Sequence, residues 1–463
     1  MHGPPGREGL GPRTSRRRLL ASLGTAAAVG LAGCSSLAGE EFDRNQAAFD
    51  RNQAAFDCNQ AAFDPEPRSY AETYPPRDDV TTFRRGTRRL GYYPEATVPD
   101  TVEVAWSEPV NGLGHTAAKS SPRPTPDGEA LVVPDDTGRV HAFRPDGRHR
   151  WTVETGAADS LGFHGTPAVV GDTAYVGGYD GAMYALDAAT GEQVWKTTRW
   201  QLGGAVAIGS SPAYWDGVLY VVAEYNHPGM DPSGVMWALD AATGRPLWHD
   251  DRPWGMPHPS PAVDPDAERM VIGSNDGVVY AWEFPSLEFS WAFETDAQMK
   301  GTIPTYEGGA FVGSWDGHVR RLTLEDGSLE WTFETGAITM SNPGVDPEAG
   351  VVYVGSDDRH VHALDAETGE RLWSRDVHGH VIGSLTVTPE CVLVGSYDGH
   401  LYALEKATGA VRWRVEGVGH ATSEAVPHDG RVYYAERGQF SNYWNDEETV
   451  LEEPGRMYGL RPA

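Results

Sequence analysis

Lysine and cysteine are scarce in this chain of 463 residues, which has 37 basic residues against 66 Asp and Glu and a formal net charge of −29. The lysines are Lys119, Lys196, Lys300 and Lys406. Because phosphate groups are bound by clustered Lys and Arg, this balance excludes nucleic acid and anionic lipid headgroups as expected partners. The cysteines, Cys34, Cys58 and Cys391, are too few for a disulfide framework.

The excess of carboxylates also has an environmental interpretation. Crowded carboxylates repel one another unless salt screens them, and at ~1 M salt the Debye length is roughly 3 Å. An acidic surface with few lysines is similar to that of proteins from halophilic archaea. Ordinary solvated acidity is the alternative interpretation.

The N-terminus has the order of segments that is typical of an export signal. Arg16 and Arg17 form a twin-arginine pair, and the weakly apolar run 19–32 is too short to span a bilayer. Residues 31–34 (LAGC) then resemble a lipobox, in which the cysteine is lipidated. We therefore predict a twin-arginine lipoprotein signal peptide at 1–33, a lipid anchor at Cys34, and a location on the extracytoplasmic face of the cell membrane. A chance match in an arginine-rich leader is the alternative.

Residues 34–97 are predicted to be the lipidated cysteine and a flexible linker. Residues 42–64 repeat a seven-residue unit three times, with Cys58 standing where Arg44 and Arg51 stand in the other copies. The stretch that follows is polar and rich in proline, without a period. Residues 84–94 (RRGTRRLGYYP) are the one basic patch, and docking on the acidic body is one interpretation of it.

Eight tryptophans recur at intervals of 40 to 53 residues and mark a repeated unit. They are Trp106, Trp151, Trp195, Trp248, Trp291, Trp331, Trp373 and Trp413. Between them, strand-like runs alternate with glycine-containing turns, as in residues 383–416, which predict a four-stranded antiparallel meander. Such a period is typical of radially repeated sheets. Residues 98–463 are therefore predicted to form an all-β, eight-bladed propeller.

The two ends of the repeat array complete each other. The last unit ends at residues 457–463 without a fourth strand, and Trp106 lies in a strand-like run, 102–109, that has no blade before it. We expect this N-terminal strand to pair with the last blade and close the ring, so that no blade edge stays open. Deletion of residues 98–110 is then expected to destabilise the whole ring, whereas deletion of residues 35–80 is not.

Residues 184–195, 237–248 and 362–373 match the pattern A-x-D-x-x-T-G-x-x-x-W. With this pattern the chain resembles the pyrroloquinoline quinone (PQQ)-like propellers. One branch of that family, the quinoprotein alcohol dehydrogenases, holds PQQ and a divalent cation, typically Ca²⁺, commonly beside two adjacent cysteines. Another branch, the BamB-like lipoproteins of bacterial outer-membrane barrel assembly, is a binding scaffold. This chain has no Cys-Cys pair, so the resemblance favours the BamB-like branch and implies no cofactor, no metal and no catalytic residue.

Loops between successive blades share one face of a propeller with the loops between second and third strands. Exposed aromatic and histidine residues of such loops are the candidate binding residues. They are His164, Trp200, Tyr225, Trp254, His258, His378, His380, Tyr443 and Trp444. The alternative is that these side chains pack the loops against one another. His378 and His380 form an H-x-H pair, but no third metal ligand is evident.

These observations favour an exported, lipid-anchored, monomeric propeller that binds a protein or other ligand without catalysis, with a role in extracytoplasmic protein assembly as one possibility. A PQQ-dependent or other membrane-associated oxidoreductase is the first alternative. A carbohydrate-binding propeller is the second, and its only indication is the set of loop tryptophans Trp200, Trp254 and Trp444.

Overall fold

The computed structural model describes residues 80–113, 120–227, 229, 231–441 and 450–463. Regular structure in these residues is β, apart from one 3-10 turn at Gly156–Asp159. No helix among them has the length and apolar composition needed to cross a bilayer. The predicted export and lipidation residues, Arg16, Arg17 and Cys34, lie outside the described residues, as do Tyr443 and Trp444.

Eight antiparallel sheets follow one another along the chain and form the blades. From the inner to the outer strand, blade 1 contains Arg123–Pro124, Leu131–Pro134, Arg139–Phe143 and His149–Glu154. Blade 2 contains Ala168–Val170, Thr173–Gly177, Met183–Asp187 and Gln193–Thr197. Blade 3 contains Ala213–Trp215, Val218–Tyr225, Ser233–Asp240 and Pro246–Asp250. Blade 4 contains Ala262–Asp264, Arg269–Gly273, Val278–Glu283 and Phe289–Glu294.

The second half of the ring repeats this order. Blade 5 contains Thr305–Tyr306, Gly309–Gly313, His318–Thr323 and Leu329–Glu334. Blade 6 contains Gly344–Asp346, Val351–Gly355, His360–Asp365 and Arg371–Asp376. Blade 7 contains Thr386–Val387, Cys391–Gly395, His400–Glu405 and Val411–Glu416. Blade 8 contains Val426–His428, Arg431–Arg437, Arg456–Pro462 and, from the N-terminal side of the chain, Val102–Pro109.

Three short pairings complete the sheets. Val80–Thr81 is a fifth strand on the inner edge of blade 2. His420–Ala421 pairs with the second strand of blade 8, and Gln439–Ser441 pairs with Val450–Glu453 in a hairpin of its own.

The predicted closure of the ring is confirmed. Val102–Pro109 pairs antiparallel with Arg456–Pro462 and becomes the outer strand of blade 8. Two segments about 350 residues apart in sequence therefore share one sheet, which joins the last blade to the first.

The eight repeated tryptophans form an outer ring that joins neighbouring blades. Seven of their indole N–H groups donate to a backbone carbonyl associated with the following blade, at Pro145, Ala188, Ala241, Leu324, Ala366, Lys406 and Pro99. Trp248 instead packs edge-on against Trp282 of blade 4, with ring centroids 6.3 Å apart. The matching turn of blade 4 has Leu287 with positive φ in place of the usual glycine, so the departure in sequence coincides with a departure in packing.

The Thr-Gly turn of the repeat has a packing reason. Gly369 has φ of +73°, and a Cβ there would lie 2.6 Å from Cδ2 of Trp331 in the preceding blade. Gly191, Gly244, Gly327 and Gly409 lie against the preceding blade's tryptophan in the same way. The glycine therefore meets two demands, a left-handed backbone and a surface flat enough for an indole.

A second ring of inter-blade bonds surrounds the central channel; we call it the hydroxyl ring. Backbone N–H groups at the start of the inner strands donate to a side-chain oxygen of the neighbouring blade. The acceptors are Thr166, Ser211, Ser260, Thr302, Asn342 and Ser121. Asn342 also donates to Ser384, and Thr386 donates to the carbonyl of Ala425. Because these groups are buried, each bond satisfies a donor that water cannot reach.

Residues 80–93 enter the channel and form what we call the plug. Their backbone pairs with blade 2 through Val80 and Thr81. The carbonyls of Thr87, Arg88, Leu90 and Gly91 then accept N–H groups from Val263, Thr305, Val345 and Val387, which belong to the inner strands of blades 4 to 7. One short segment thus spans much of the ring from inside.

Buried arginines complete the plug. Arg84 is fully buried and donates to the carbonyls of Leu385 and Pro343, while its own backbone N–H donates to Glu424 of blade 8. Glu424 also pairs with Arg123 of blade 1. Arg89 donates to carbonyls of blades 3 and 4.

The linker prediction differs from the structure over residues 80–97. This stretch has no strand period because it pairs with many different blades in turn. The basic patch does dock on the acidic body, and most of its buried guanidinium bonds go to backbone carbonyls.

Candidate functional site

A cavity of about 440 Å³ lies at the mouth of the central channel, on the face formed by the loops between blades; we call this the loop face. Phe83 of the plug lines the cavity from the channel side, together with Ser211, Ser260 and Thr302 of the hydroxyl ring. The walls come from loop and hairpin residues of several successive blades. Because the plug occupies the channel below, the cavity opens toward the loop face.

The carboxylate of Glu224 is fully buried in the wall of this cavity. Glu224 lies near the end of a strand of blade 3, and its backbone exchanges hydrogen bonds with the loop at Val206 and Ala207. His258 Nδ1 lies 3.1 Å from Oε1 of Glu224 and 3.2 Å from the hydroxyl of Tyr179. The contact to His258 is close but poorly directed, so neither oxygen of Glu224 accepts a hydrogen bond from a described residue.

Lys300 and Trp315 line the same cavity. Nζ of Lys300 lies 5.9 Å from the centroid of the Trp315 ring. Burial lowers the pKa of Lys300 to about 8, and the charge of Glu224 opposes that shift. The indole Nε1 of Trp315 is buried and donates to no described residue. The cavity therefore contains an acceptor and a donor that the described part of the protein leaves without partners.

The structure brings two of the predicted binding residues into this cavity. His164 and His258 both line it, and the His164 ring lies 3.8 Å from that of Tyr179. Trp200 is 46% exposed and lines an adjoining cavity of about 390 Å³, with the Arg199 guanidinium 4.9 Å from the centre of its ring. Trp254 is exposed on the loop face.

The other predicted binding residues have different surroundings. Tyr225 is a core residue: it is 8% exposed, its hydroxyl donates to the carbonyl of Leu202, and it accepts the indole N–H of Trp237. The prediction that it belongs to the binding surface is therefore wrong, because its side chain turns toward the interior of blade 3. His380 donates to the carbonyl of Asp357, and His378 is exposed beside Asp376.

Sequence reasoning missed Glu224, Tyr179, Lys300 and Trp315 as members of one site. Weak signals were present. Glu224 is a carboxylate within an otherwise apolar strand, Lys300 is one of few lysines, and Trp315 falls outside the phase of the repeated tryptophans. Glu224 is in blade 3, whereas Lys300 lies in the loop into blade 5 and Trp315 in the hairpin of blade 5, so no local spacing connects the carboxylate with the other two.

The cavity does not supply the ligands that PQQ with Ca²⁺ requires. Among the described residues, no group of three or more His, Cys, Asp or Glu is placed to hold a metal ion. Glu224 is the one carboxylate among the described residues that line the cavity. Cys391 is buried in the strand of blade 7, within the core. The absence of a cofactor stays a prediction.

A second polar cluster lies where blades 7, 8 and 1 meet. Burial raises the pKa of Asp136 to about 7, although its Oδ1 accepts N–H groups from Gly112 and Leu113. Burial likewise raises the pKa of Glu436 to about 7. His420 stacks on Tyr397 at 4.3 Å, and burial lowers its pKa to about 4. All three shifts favour the neutral form of a group that is buried where the blades meet.

Comparison with known proteins places this fold among characterised propellers. The outer membrane protein assembly factor BamB of Yersinia pestis is 26% identical over 234 residues, which span 49% of this chain and 55% of that protein. The chain spans about half or less of the length of each curated relative it matches. The similarity to part of these proteins therefore does not show that this chain has their activities.

Two solved structures show the same fold at low identity. BamB from Moraxella catarrhalis matches with a TM-score of 0.57 and 17% identity, over 78% of this chain and 98% of that one. Quinohemoprotein alcohol dehydrogenase from Comamonas testosteroni matches with a TM-score of 0.66 and 15% identity, over 89% of this chain and 84% of that one. At these identities the likeness concerns architecture alone.

The family assignment rests on the repeats themselves. The family described as outer membrane protein assembly factor BamB matches residues 136–267, 237–347 and 338–463. Together these ranges run without a gap from residue 136 to the C-terminal residue of the sequence and cover more than two thirds of it. The chain therefore belongs to the BamB family of PQQ-like β-propellers.

Proposed function

We propose that this protein is a non-catalytic scaffold that binds a protein partner at the extracytoplasmic face of the cell membrane. The observation that carries the proposal is a set of large apolar side chains exposed on neighbouring loops of the loop face. Leu161, Trp200 and Trp254 are 40%, 46% and 42% exposed on loops that lead into blades 2, 3 and 4. Large exposed apolar side chains on neighbouring loops are typical of surfaces that bind proteins.

The path of the plug supports this choice of face. Val80 pairs with Val170 and Thr81 with Val169, and Phe83 lines the cavity. The chain therefore runs toward the cavity from the opposite end of the channel. Entry of the plug from that end leaves the loop face accessible to a partner.

The family relationship supports the class of function. The Yersinia pestis relative and the matching family are named for outer membrane protein assembly, and we extend to this chain the general role of a binding partner in extracytoplasmic protein assembly. The cavity residues support a scaffold over an oxidoreductase, because one carboxylate is a poor donor set for Ca²⁺, which prefers six to eight oxygen ligands. The scaffold is proposed to act as a monomer.

Site-specific photo-crosslinking tests the proposal. A photoreactive amino acid is placed at Trp254 or Trp200, and at Leu372 as the matched control, since Leu372 is 53% exposed on an outer strand. In native membranes at high salt, we expect the same discrete protein adduct from both tryptophan positions and none from Leu372. Equal labelling at all three positions, or no adduct, would contradict the proposal.

Two further measurements separate the alternatives. Replacement Cys34→Ser is expected to release the protein from the membrane fraction without changing its thermal unfolding. Incubation with PQQ and Ca²⁺ is expected to leave the absorbance spectrum of the purified protein unchanged after dialysis. A retained quinone spectrum would support the oxidoreductase alternative instead.

A further inference from the structure

The cavity at the channel mouth has features that protein binding on the loop face does not use. We propose that it binds one neutral pyranose sugar residue, whose hydroxyl groups pair with Glu224, Lys300 and Trp315. This site borders the protein-binding surface of the proposed function at Leu161, which lines the cavity, and it does not include Trp200 or Trp254. It adds a small-molecule ligand to the same face of the molecule.

The size and shape of the cavity suit a small ligand. Its volume of about 440 Å³ falls within the range of small-molecule sites, about 300–1,000 Å³. Phe83 and the plug close the channel side, so a ligand enters from the loop face and meets a floor that every neighbouring blade holds in place. A rigid floor limits the reorganisation that binding requires.

The unpaired polar groups define the chemistry of the ligand. Both oxygens of Glu224 lack a donor among the described residues, and Nε1 of Trp315 lacks an acceptor there. A buried donor or acceptor without a partner is costly, which favours an occupant that supplies both kinds of bond. A hydroxyl group donates and accepts, whereas a guanidinium only donates and a carboxylate only accepts.

The charges of the cavity point to a neutral occupant. Glu224 contributes one negative charge, and Lys300, with a pKa of about 8, contributes a positive charge at neutral pH. The remaining titratable residues that line the described cavity are Tyr179, His164 and His258. A cationic ligand would pair with the carboxylate and be repelled by the ammonium. An anionic ligand would pair with the ammonium and be repelled by the carboxylate. Hydroxyl groups can donate to Glu224 and accept from Lys300 at the same time.

The apolar part of the wall suits the C–H face of a sugar ring. Trp315 and Tyr179 present aromatic rings, and Met256 and Met340 present thioethers. The serine and threonine hydroxyls of the hydroxyl ring are already engaged between blades. The unpaired groups named above are therefore the ones left to select the ligand.

Calorimetric titration and saturation-transfer NMR of the whole exported protein at high salt test the inference. The probes are methyl α-glycosides of glucose, mannose, galactose and N-acetylglucosamine, together with free glucose. We expect at least one of these sugars to bind. Binding of a methyl glycoside indicates the end of a glycan, and binding of free glucose alone indicates a free sugar. Arginine amide and succinate are the ionic comparison ligands, and neither is expected to bind.

Three variants connect binding to the cavity. Glu224→Gln is expected to weaken sugar binding by about tenfold, because an amide replaces one of two acceptor oxygens with a donor. Trp315→Phe keeps the aromatic ring, removes Nε1, and is expected to weaken it by a few-fold. Leu372→Ala on an outer strand, where Leu372 is 53% exposed, is the control and is expected to bind sugar as the unaltered protein does.

The inference is overturned if no sugar binds at tens of millimolar. It is also overturned if sugar binding is unchanged in both cavity variants and thermal unfolding shows that these variants are folded. Binding of arginine amide or succinate in place of the sugars would overturn it as well. Because Trp315→Phe alters no residue of the exposed loop surface, loss of sugar binding with retained crosslinking at Trp254 separates this site from the proposed protein-binding function.

Discussion

The outer ring of tryptophans and the central channel are built in opposite ways. In the outer ring the same residue makes the same bond at nearly every junction, with an indole N–H donating to the next blade. In the channel, each blade contributes something different, such as Glu424 in blade 8, Glu224 in blade 3 and Lys300 between blades 4 and 5. Repetition supplies the architecture of this protein, and departures from repetition supply its candidate site.

The comparison also shows two ways to close a ring. On the outside, Val102–Pro109 completes blade 8 through a regular antiparallel ladder. On the inside, the plug closes the channel through irregular bonds from successive carbonyls to successive blades. Both closures come from the N-terminal side of the propeller, so that single stretch of chain stabilises the ring twice.

Removal of the outer closure is expected to have the largest effect. Deletion of residues 98–110 removes the outer strand of blade 8 and the bond from Trp106 to Pro145. It exposes an edge of the sheet, and we expect loss of cooperative thermal unfolding and rapid proteolysis. Deletion of residues 35–79, which spares the plug, is the control and is expected to unfold as the full chain does. Equal melting of both deletions would contradict this role.

Disruption of the inner closure is expected to rank second. Arg84→Met leaves backbone carbonyls of Leu385 and Pro343 without a donor in a buried place. Each buried carbonyl left without a donor costs about 1–3 kcal/mol, so we expect a loss of about 2–6 kcal/mol in the free energy of unfolding, measured with denaturant. Arg148→Met is the matched control, because its partner Asp146 is also exposed, and its expected cost is below about 1 kcal/mol. Similar costs for both would show that the plug adds little to stability.

A pair of glycines in blade 6 tests the packing of the outer ring. Gly369 and Gly350 have φ of +73° and +64°, but only at Gly369 would a Cβ meet an indole, that of Trp331. We expect Gly350→Ala to cost about 1–2 kcal/mol from backbone strain. Gly369→Ala is expected to cost a further 1–3 kcal/mol or so from overpacking. If the two melting temperatures fall equally, the contact with the indole does not contribute.

The smallest expected effect concerns the polar cluster between blades 7, 8 and 1. The pKa of Asp136 is raised from 3.8 to about 7 by burial, so the folded state holds a proton that the unfolded state has lost between these values. Stability contributed by this group is therefore present below about pH 4 and falls as the pH rises toward 7. In Asp136→Asn, this decrease between about pH 4 and about pH 7 is expected to be smaller than in the unaltered protein, measured by unfolding at several pH values. An unchanged pH profile would contradict the shift.

The sequence predicted the ring well because its signals are local. A strand, its turn glycine and its tryptophan occupy about forty residues, as in residues 383–416, and the turn chemistry acts within a few residues. The pairing of 102–109 with the last blade was also predicted. The last blade lacks a fourth strand and the N-terminal end of the array has an extra one, so pairing these two is the arrangement that leaves no sheet edge open.

Only the tertiary structure decided what fills the channel. Residues 80–97 have no strand-like alternation of apolar and polar residues, because successive carbonyls of the plug accept hydrogen bonds from different blades. Their sequence is therefore similar to that of a linker. Tyr225 and Trp200 are both loop-adjacent aromatics in sequence, yet one is buried in the core and the other exposed. Which way a side chain turns at a loop depends on the neighbouring blade, and that neighbour is tens of residues away.

The repeated tryptophans and turns thus determined, by sequence alone, the number of blades and the way the ring closes, because strand pairing and turn geometry depend on residues close in the chain. The cavity was decided by tertiary structure. Phe83, Glu224, Lys300 and Trp315 meet there because the closed ring brings three distant segments to one point, and no local pattern in the sequence shows that these segments are neighbours.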